Sequence, residues 1–332
     1  MKVLVTGGLG FVGSTLVRVL LGQDNAQVIN LDLMSYGSNP LNLNELTRDK
    51  KYRFVRGDIT NSDIVNPLLD EVEAVVNLAA ETHVDRSISS GASFVRSNVN
   101  GVFTILEGLR QAGRRIPFVQ VGTDEEYGEI AEGSFTEEDP VAPSSPYAAT
   151  KASATMLVLA YARTYGLDAK VTRCTNNYGP YQSPEKFVPK SIIRALLGFK
   201  IPIYGDGRNV RDWIHVEDHC EALELVLWKG RAGSIYNVAG GNELTNLELV
   251  KNILGIMSKS DSMIELVEDR PGHDIRYSLD DTKIRRELGW NPKHEFKYAL
   301  RETVQWYLKN EKWWRPIADE KTLSAAPWKL GW

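Results

Sequence analysis

The sequence predicts an α/β protein in which a doubly wound parallel sheet is followed by a smaller, irregular C-terminal lobe. Short β-branched runs alternate with longer segments of helical period over the first half of the chain. A glycine-rich turn joins the first of these runs to the first helical segment, and turn-rich segments replace the alternation after about residue 180. Strands separated by helices need crossover connections, which give a parallel sheet covered on both faces.

The predicted strands and helices divide the chain into two parts. We expect strands at residues 2–6, 27–31, 52–56, 74–78, 117–122 and 169–173. We expect helices at residues 14–21, 62–69, 92–111 and 147–164. These elements predict a dinucleotide-binding domain over residues 1–175, to which a strand near 234–238 returns, and a mainly substrate-binding lobe over residues 176–332.

The glycine-rich turn predicts a Rossmann-type dinucleotide site. Gly7, Gly10 and Gly13 follow the first strand and open the first helix. Glycines at these places allow a tight turn, close approach of the backbone to a pyrophosphate and close helix–strand packing, while the helix N-terminus binds the anion. Asp32 ends the second strand, where a carboxylate would bind a ribose 2′-hydroxyl and repel a 2′-phosphate. The expected cofactor is therefore NAD rather than NADP.

A tyrosine–lysine pair and two neighbouring carboxylates predict proton transfer. Tyr147 and Lys151 lie one turn apart on one helical face, so the ammonium should lower the pKa of the phenol towards that of a general base. Thr123, Asp124 and Glu125 follow a strand end some twenty positions upstream. The tyrosine–lysine spacing is common by chance. The glycine turn and the two carboxylates strengthen its interpretation as a catalytic pair. Together these groups suit a reaction with more than one proton transfer.

Other polar residues are weaker candidates. Asp58 follows the third strand at the adenine end of such a site, although it would serve equally well as a helix cap. Arg211 and Arg270 lie on turn-rich loops, and the guanidinium group suits diphosphate oxygens. The remaining histidines have no partner at metal-ligand spacing, so we expect no metal; they are His215, His219 and His294.

The composition excludes several classes of partner. The net charge is −4 and no long Lys/Arg run occurs, so nucleic acid is not expected. No apolar run approaches the roughly 20 residues that span a bilayer. The short apolar run at residues 2–6 is followed directly by glycines, which indicates a buried strand rather than a signal peptide. With two cysteines expected as free buried thiols, Cys174 and Cys220, the chain is predicted to be cytoplasmic.

These features resemble the extended short-chain dehydrogenase/reductase superfamily (the NAD-dependent epimerase/dehydratase family), and within it the dTDP-glucose 4,6-dehydratases. The likeness runs nearly end to end, through residues 78–88, 123–125, 145–151, 174–181, 184–186, 202–205, 211–213 and 269–273. The chain departs from the family pattern in Thr82 and Gly122, where serine is usual, and in Glu126, where valine is usual. The extra carboxylate would either raise neighbouring pKa values or face solvent.

The resemblance implies three sets of site residues. The catalytic set is Thr123, Asp124, Glu125, Tyr147 and Lys151. The set around NAD is Gly7, Gly10, Phe11, Val12, Gly13, Asp32, Leu33, Met34, Ser35, Asp58, Ile59, Leu78, Ala79, Ala80, Thr82, Ser97, Tyr147, Lys151 and Asn177. The set around the nucleotide sugar is Thr82, His83, Thr123, Asn176, Lys186, Phe187, Pro202, Ile203, Tyr204, Arg211, Asn237, Asp269, Arg270 and His273.

The implied activity is that of an NAD-dependent hydro-lyase of deoxysugar biosynthesis, which converts dTDP-glucose to dTDP-4-keto-6-deoxyglucose. C4 is oxidised, water is lost across C5–C6, and hydride returns to C6. Tyr147 would take the 4-hydroxyl proton while Thr123 orients that oxygen. Glu125 would remove the C5 proton and Asp124 would protonate the departing 6-hydroxyl. In the family, the helices that correspond to residues 92–109 and 147–164 form a dimer interface, so we expect a homodimer.

Other functions remain open from the sequence. The alternatives are a UDP-glucose 4,6-dehydratase, a nucleotide-sugar 4-epimerase, a UDP-glucuronate decarboxylase and an inactive nucleotide-binding regulator. An epimerase needs no acid–base pair for C5 and C6, so Asp124 and Glu125 count against it. Thymine and uracil differ by one methyl group, worth about 1–3 kcal/mol in an apolar pocket. The preference for dTDP therefore rests on the resemblance alone.

Overall fold

A seven-stranded parallel sheet forms the centre of the computed structural model, which describes residues 1–330. Its strands are β1 (Lys2–Thr6), β2 (Gln27–Asp32), β3 (Tyr52–Arg56), β4 (Ala74–Asn77), β5 (Phe118–Val121), β6 (Ala169–Cys174) and β10 (Ile235–Val238). They are arranged in the order β10-β6-β5-β4-β1-β2-β3, and each pairing is parallel. The strand order reverses on either side of β1, as in a doubly wound sheet.

Helices cover both faces of this sheet. On one face lie α1 (Phe11–Leu21) and α8 (Val216–Lys229), and on the other lie α2 (Ser62–Glu71), α5 (Gly101–Gln111) and α6 (Pro146–Tyr165). The remaining helices are α3 (Val84–Ser89), α4 (Ala92–Phe94), α7 (Phe187–Leu196), α9 (Asn246–Ile256), α10 (Thr282–Leu288), α11 (Phe296–Lys309) and α12 (Glu311–Trp314). Neighbouring residues of β1 point to opposite sides, because side chains alternate along a strand. Val3 and Val5 pack with α1 and α8, whereas Leu4 packs with α2, α5 and α6. The predicted fold class is confirmed.

The six strands predicted for the first half are present, with small differences at their ends. The first helix begins at Phe11 rather than at Ser14, because the backbone N–H of Ser14 already bonds to the carbonyl of Gly10. The segment predicted as one helix over residues 92–111 contains a π-helical turn, Val95–Asn100, between α4 and α5. Such turns often occur at functional sites.

The second half of the chain adds two small sheets. The strands β7 (Asn176–Tyr178), β9 (Val210–His215) and β11 (Glu243–Thr245) form one, and β8 (Ile201–Tyr204) pairs with β12 (Ile264–Val267) in the other. A separate apolar cluster joins α7, α9 and α11 to the tail, where Trp313 and Trp314 are buried. Trp313 donates a hydrogen bond of 2.9 Å to Asn42 of the first half. The division into an NAD-binding domain and a substrate-binding lobe remains a prediction.

No helix among residues 1–330 is both long enough and apolar enough to cross a membrane.

Candidate active site

A cavity opens at the carboxyl ends of the central strands, where parallel α/β sheets bind ligands. All five predicted catalytic residues line it. The predicted NAD residues line it with one exception, because Met34 is not part of its wall. Four of the predicted nucleotide-sugar residues also line it, namely Thr82, Thr123, Asn176 and Lys186. The structure therefore brings together residues that lie up to about 180 positions apart in the sequence.

The glycine turn is built so that backbone atoms approach closely. Gly7 has φ +70°, and a Cβ there would lie 2.7 Å from the backbone nitrogen of Ala79 after β4. A Cβ on Gly13 would overlap the carbonyl of Gly7. Gly10 caps α1 without a side-chain hydrogen bond, and the first amides of a helix have no partner within it. The turn thus offers a backbone cradle for an anionic group such as a pyrophosphate.

Asp32 organises the loop beside this turn. Its Oδ2 accepts a hydrogen bond from the backbone of Leu9 at 2.9 Å. Its Oδ1 accepts bonds from the backbone of Met34 at 2.8 Å and from Ser38 Oγ at 2.7 Å. A carboxylate has about four acceptor positions. Asp32 therefore holds the loop and keeps capacity for one further donor, such as a ribose hydroxyl.

Tyr147 and Lys151 lie buried on the first turns of α6. This helix begins at Pro146, and the hydroxyl of its N-cap Ser145 accepts a hydrogen bond of 3.1 Å from the backbone of Ala148. Lys151 Nζ donates a bond of 2.5 Å to the carbonyl of Val121 on β5. Burial lowers the pKa of Lys151.

The expectation of a lowered Tyr147 pKa is wrong for this arrangement. The pKa of Tyr147 is raised well above its ordinary value, first by burial and then by the negative charge of Glu125. The ammonium of Lys151 is directed to the β5 backbone, and it does not offset these two effects. Tyr147 is therefore a neutral phenol here, and an added positive charge is needed to make it a base.

The two carboxylates after β5 differ in their surroundings. Thr123, Asp124 and Glu125 form a tight turn, in which Asp124 Oδ1 accepts bonds of 3.0 Å from Thr123 Oγ1 and from the backbone of Glu125. Asp124 Oδ2 is buried and has no hydrogen-bond partner among the described residues. Burial and then Glu125 raise the pKa of Asp124 to about 8. Asp124 is therefore mostly protonated at neutral pH, as a general acid must be.

Glu125 has a different charge environment. Burial raises the pKa of Glu125 above its ordinary value, and the positive charges of Arg270, Arg211 and Lys186 partly offset this rise. These cations favour the carboxylate form of Glu125. At Asp124, the negative charge of Glu125 instead favours the protonated form. The pKa values of both groups are raised, but the charges beside them differ in sign, which favours Asp124 as the acid and Glu125 as the base.

Glu126 does not face solvent, and its negative charge contributes to the raised pKa values of Tyr147 and Cys174. Its side chain is fully buried, and its Oε2 accepts a bond of 2.8 Å from Arg173 Nε. Its Oε1 accepts a bond of 3.2 Å from the backbone of Thr123, which completes a capping box. A Cβ on Gly122 would lie 2.5 Å from this oxygen. Glu126 therefore anchors the turn that carries the carboxylates, and Gly122 leaves room for it.

The other predicted nucleotide-sugar residues do not line the cavity. They are His83, Phe187, Pro202, Ile203, Tyr204, Arg211, Asn237, Asp269, Arg270 and His273. Two of them act on the cavity through their charge, since Arg270 and Arg211 both affect the pKa of Glu125. Arg270 Nη1 bonds to Asp85 Oδ1 at 2.8 Å, and Tyr204 donates a bond of 3.3 Å to the other oxygen of Asp85.

Asn237 lies apart from the cavity, as a buried residue of β10. Its Oδ1 accepts a bond of 3.0 Å from the hydroxyl of Tyr127, and its Nδ2 donates a bond of 3.0 Å to the carbonyl of Phe135. Both groups of the amide are therefore used within the protein.

Several residues that line the cavity are absent from the predicted sets, among them Tyr36, Cys174, Glu185 and His219. His219 Nδ1 donates a bond of 3.0 Å to Asn177 Oδ1, and its Nε2 is buried without a hydrogen-bond partner in the described part of the chain. Glu185 accepts a hydrogen bond from Tyr36 and lies 3.3 Å from His83 Nε2. Cys174 and Glu185 lie within runs that resemble the family, whereas nothing in the local sequence indicates that Tyr36 or His219 reaches the cavity.

The sheet, the glycine turn and the Tyr147–Lys151 pair define an extended short-chain dehydrogenase/reductase. Residues 4–303 match the family described as GDP-mannose 4,6 dehydratase. The chain is 50% identical to a dTDP-glucose 4,6-dehydratase from Streptomyces niveus over 338 residues, which cover 100% of both chains.

Solved structures agree with this relationship. DesIV, a dTDP-glucose 4,6-dehydratase from Streptomyces venezuelae crystallised with NAD, matches with a TM-score of 0.93 and 48% identity over 96% of this chain and 100% of that one. A dTDP-glucose 4,6-dehydratase from Bacillus anthracis in complex with NAD matches with a TM-score of 0.90 and 47% identity over 96% and 99%. The chain belongs to the dTDP-glucose 4,6-dehydratase family, and the resemblance noted in the sequence is confirmed.

Proposed function

We propose that this protein is an NAD-dependent hydro-lyase that converts dTDP-glucose to dTDP-4-keto-6-deoxyglucose. The observation that carries the proposal is the pair Asp124 and Glu125, which lines the same cavity as Tyr147 and the glycine turn. Removal of the C5 proton and loss of the 6-hydroxyl need one base and one acid. A 4-epimerase needs neither, so the pair favours dehydration.

The residues of the cavity suit NAD. Gly7, Gly10 and Gly13 provide the backbone cradle, Asp32 retains an acceptor position, and Lys151 lines the same cavity. When bound, NAD⁺ supplies the two-electron acceptor and donor, and it adds positive charge that lowers the pKa of nearby phenols. The fit rests on the absence of side chains at the glycines and on the capacity left at Asp32.

Tyr147, Thr123, Asp124 and Glu125 divide the proton transfers among them. Tyr147 takes the proton of the 4-hydroxyl, and Thr123 binds the same oxygen. The resulting 4-keto group acidifies the C5–H, and Glu125 removes this proton. Asp124 holds its own proton at neutral pH and gives it to the departing 6-hydroxyl, which leaves as water.

Loss of the Tyr147 hydroxyl should stop the reaction at its first step. In Tyr147→Phe, no group remains to accept the 4-hydroxyl proton, so we expect a fall in turnover of about 100-fold or more. The measurement is the absorbance of reduced nicotinamide on mixing the NAD-loaded variant with substrate. Rapid appearance of that absorbance would show that another residue is the base.

We propose that cationic side chains of the second half hold the diphosphate. Lys186 lines the cavity, where its Nζ donates a bond of 3.0 Å to the carbonyl of Thr82. Arg211 and Arg270 lie close enough to Glu125 to lower its pKa. Arginine and lysine are suited to phosphate oxygens. In the same site, Thr82 and Asn176 are proposed to contact the sugar.

We propose a homodimer in the cytoplasm. Large apolar side chains on and beside α5 and α6 are about half exposed, namely Val95 (49%), Phe103 (48%), Met156 (45%) and Tyr165 (52%). Exposed apolar residues on two helices that pack together suit a protein interface. Light scattering should give the dimer mass, and a monomer at all concentrations would contradict this. The free thiols Cys174 and Cys220 suit a reducing compartment.

The decisive experiment is incubation of the purified protein with dTDP-glucose and, separately, with UDP-glucose. We expect the alkaline ultraviolet absorbance of a 4-keto-6-deoxy sugar, larger with dTDP-glucose. A product with only the C4 configuration changed would favour an epimerase, and a larger signal with UDP-glucose would change the proposed base. The matched control is Asp124→Asn, which should bind NAD and give little keto sugar.

A further inference from the structure

A cluster of metal-ligating side chains lies at the start of α8, outside the cavity described above. His215 ends β9 and precedes α8, Glu217 lies in the first turn of that helix, and His294 lies just before α11. One nitrogen of each imidazole and one carboxylate oxygen of Glu217 lie within 4.8 Å of one another. The sequence analysis predicted no metal at these histidines, because His294 is distant along the chain from His215 and Glu217.

One of the three distances between ligand atoms is close to that of a coordination shell. His294 Nε2 lies 3.2 Å from Glu217 Oε2. In a tetrahedral zinc site with bonds of about 2.0–2.1 Å, neighbouring ligand atoms are roughly 3.3 Å apart. The Glu217 side chain is 55% exposed, so a change of rotamer can bring its carboxylate closer to His215.

A carboxylate behind His294 fixes the orientation of its ring. Asp218 Oδ1 lies 2.9 Å from His294 Nδ1. Asp218 is buried, and its oxygens accept bonds from the backbones of Lys293 at 2.9 Å and His294 at 3.1 Å. Metal-binding histidines commonly donate their second ring N–H to such a carboxylate, which fixes the tautomer and leaves Nε2 for the metal.

His215 supplies a second nitrogen that the protein leaves unused. His215 is buried, with 8% of its surface exposed. Its Nδ1 has no hydrogen-bond partner among residues 1–330. Its ring centroid lies 4.1 Å from that of His294. A buried polar atom without a partner calls for an explanation, such as an ion that completes its environment.

The charges of the cluster also suit a divalent cation. Glu217 and Asp218 carry two negative charges, and two neutral imidazoles add none, so one divalent cation balances the group. A proton on His294 would balance only one of them. Two imidazole nitrogens and one carboxylate oxygen are a ligand set that Zn²⁺ and other first-row metals accept, with water at the open position.

We propose that His215, Glu217 and His294 bind a first-row divalent metal such as Zn²⁺, with Asp218 as the carboxylate that orients His294. The site is separate from the cavity and does not depend on the proposed dehydratase activity. The competing explanation is that His294 is an imidazolium ion held between Glu217 and Asp218, with no metal.

The test is metal binding by the tag-free, NAD-loaded protein after treatment with a chelator. Titration calorimetry with Zn²⁺ should give one equivalent, and Co²⁺ at the same site should give the visible absorption of a low-coordinate complex. Both signals should be lost in His294→Ala and weakened at least about 10-fold in Glu217→Gln. Glu224→Gln, on the same helix but outside the cluster, is the control and should bind normally.

The results separate the two explanations. If Zn²⁺ does not bind in a saturable manner, or binds equally well to Glu217→Gln and to the unmodified protein, the imidazolium explanation holds. Glu217 is exposed, so its substitution keeps the test valid even if His294→Ala does not fold.

Discussion

At the scale of single residues, the adjacent carboxyl groups of Asp124 and Glu125 have different surroundings. Asp124 has a buried, unpartnered oxygen and a negatively charged neighbour, whereas three cations act on Glu125. The sequence identified both groups and assigned the acid and the base through the family resemblance. The surroundings favour that assignment, because burial and the negative charge of Glu125 raise the pKa of Asp124.

Substitution of either carboxyl group should slow the reaction without loss of the cofactor. We expect Asp124→Asn and Glu125→Gln to reduce turnover by about 100-fold or more, since each removes one proton transfer. The measurements are the rate of keto-sugar formation and the NAD content of the purified variants. Turnover equal to that of the unmodified protein in either variant would contradict the assigned role.

Gly122 and Glu126 should behave as a coupled pair. A Cβ at 122 would lie 2.5 Å from Glu126 Oε1 and 2.7 Å from the carbonyl oxygen of Thr172, so we expect Gly122→Ser to cost about 1–3 kcal/mol in the free energy of unfolding. Glu126→Val should cost about 3–5 kcal/mol, because it leaves Arg173 as an unpaired buried charge. The added cost of Gly122→Ser should be smaller in Glu126→Val, as measured by a double-mutant cycle in urea. Strictly additive effects would mean that the two residues do not interact.

At the scale of elements, the turn between β1 and α1 shows what the glycine pattern does. Gly13 is surrounded by the backbone of Gly7 and Gly8, so that even a methyl group has no space. The pattern predicted this turn from sequence because only glycine permits such an approach. The π-helical turn at Val95–Asn100 was not predicted, since nothing in the local sequence distinguishes it from a regular helix.

Gly13→Ala should disrupt the NAD site. The added Cβ overlaps the carbonyl of Gly7, so the turn must shift away from its present position. We expect at least a 10-fold loss of NAD affinity, measured by calorimetry on the protein freed of cofactor. Gly255→Ala is the matched control, since a Cβ at that helical position meets no atom within 4 Å. Equal NAD affinity in Gly13→Ala and Gly255→Ala would contradict this account of the turn.

At the scale of the whole molecule, buried neutral histidines should make the protein sensitive to acid. Burial lowers the pKa of His219 to about 3, from an ordinary value of 6.5. The unfolded chain therefore binds a proton near pH 6.5, whereas the folded one does not until far lower pH. The stabilisation is complete above pH 6.5 and is lost as the pH falls towards 3, by up to about 1.4 kcal/mol per pH unit.

The measurement is the free energy of unfolding in urea between pH 7 and pH 4. His219→Gln keeps an amide donor near Asn177 but cannot be protonated in this range, so its stability should fall less steeply with decreasing pH. Identical slopes for the variant and the unmodified protein would show that other groups dominate acid unfolding.

The sequence by itself determined the sheet, the glycine turn and the five catalytic candidates. These depend on local patterns: period along a strand or helix, the conformational freedom of glycine, and the spacing of one helical turn. Only the tertiary structure decided the state of Tyr147, the anchoring role of Glu126 and the place of Asn237 away from the cavity. Burial, ion pairing with Arg173 and contacts between β10 and distant loops are set by residues far apart in sequence. No local pattern contains that information, because desolvation and charge act through space.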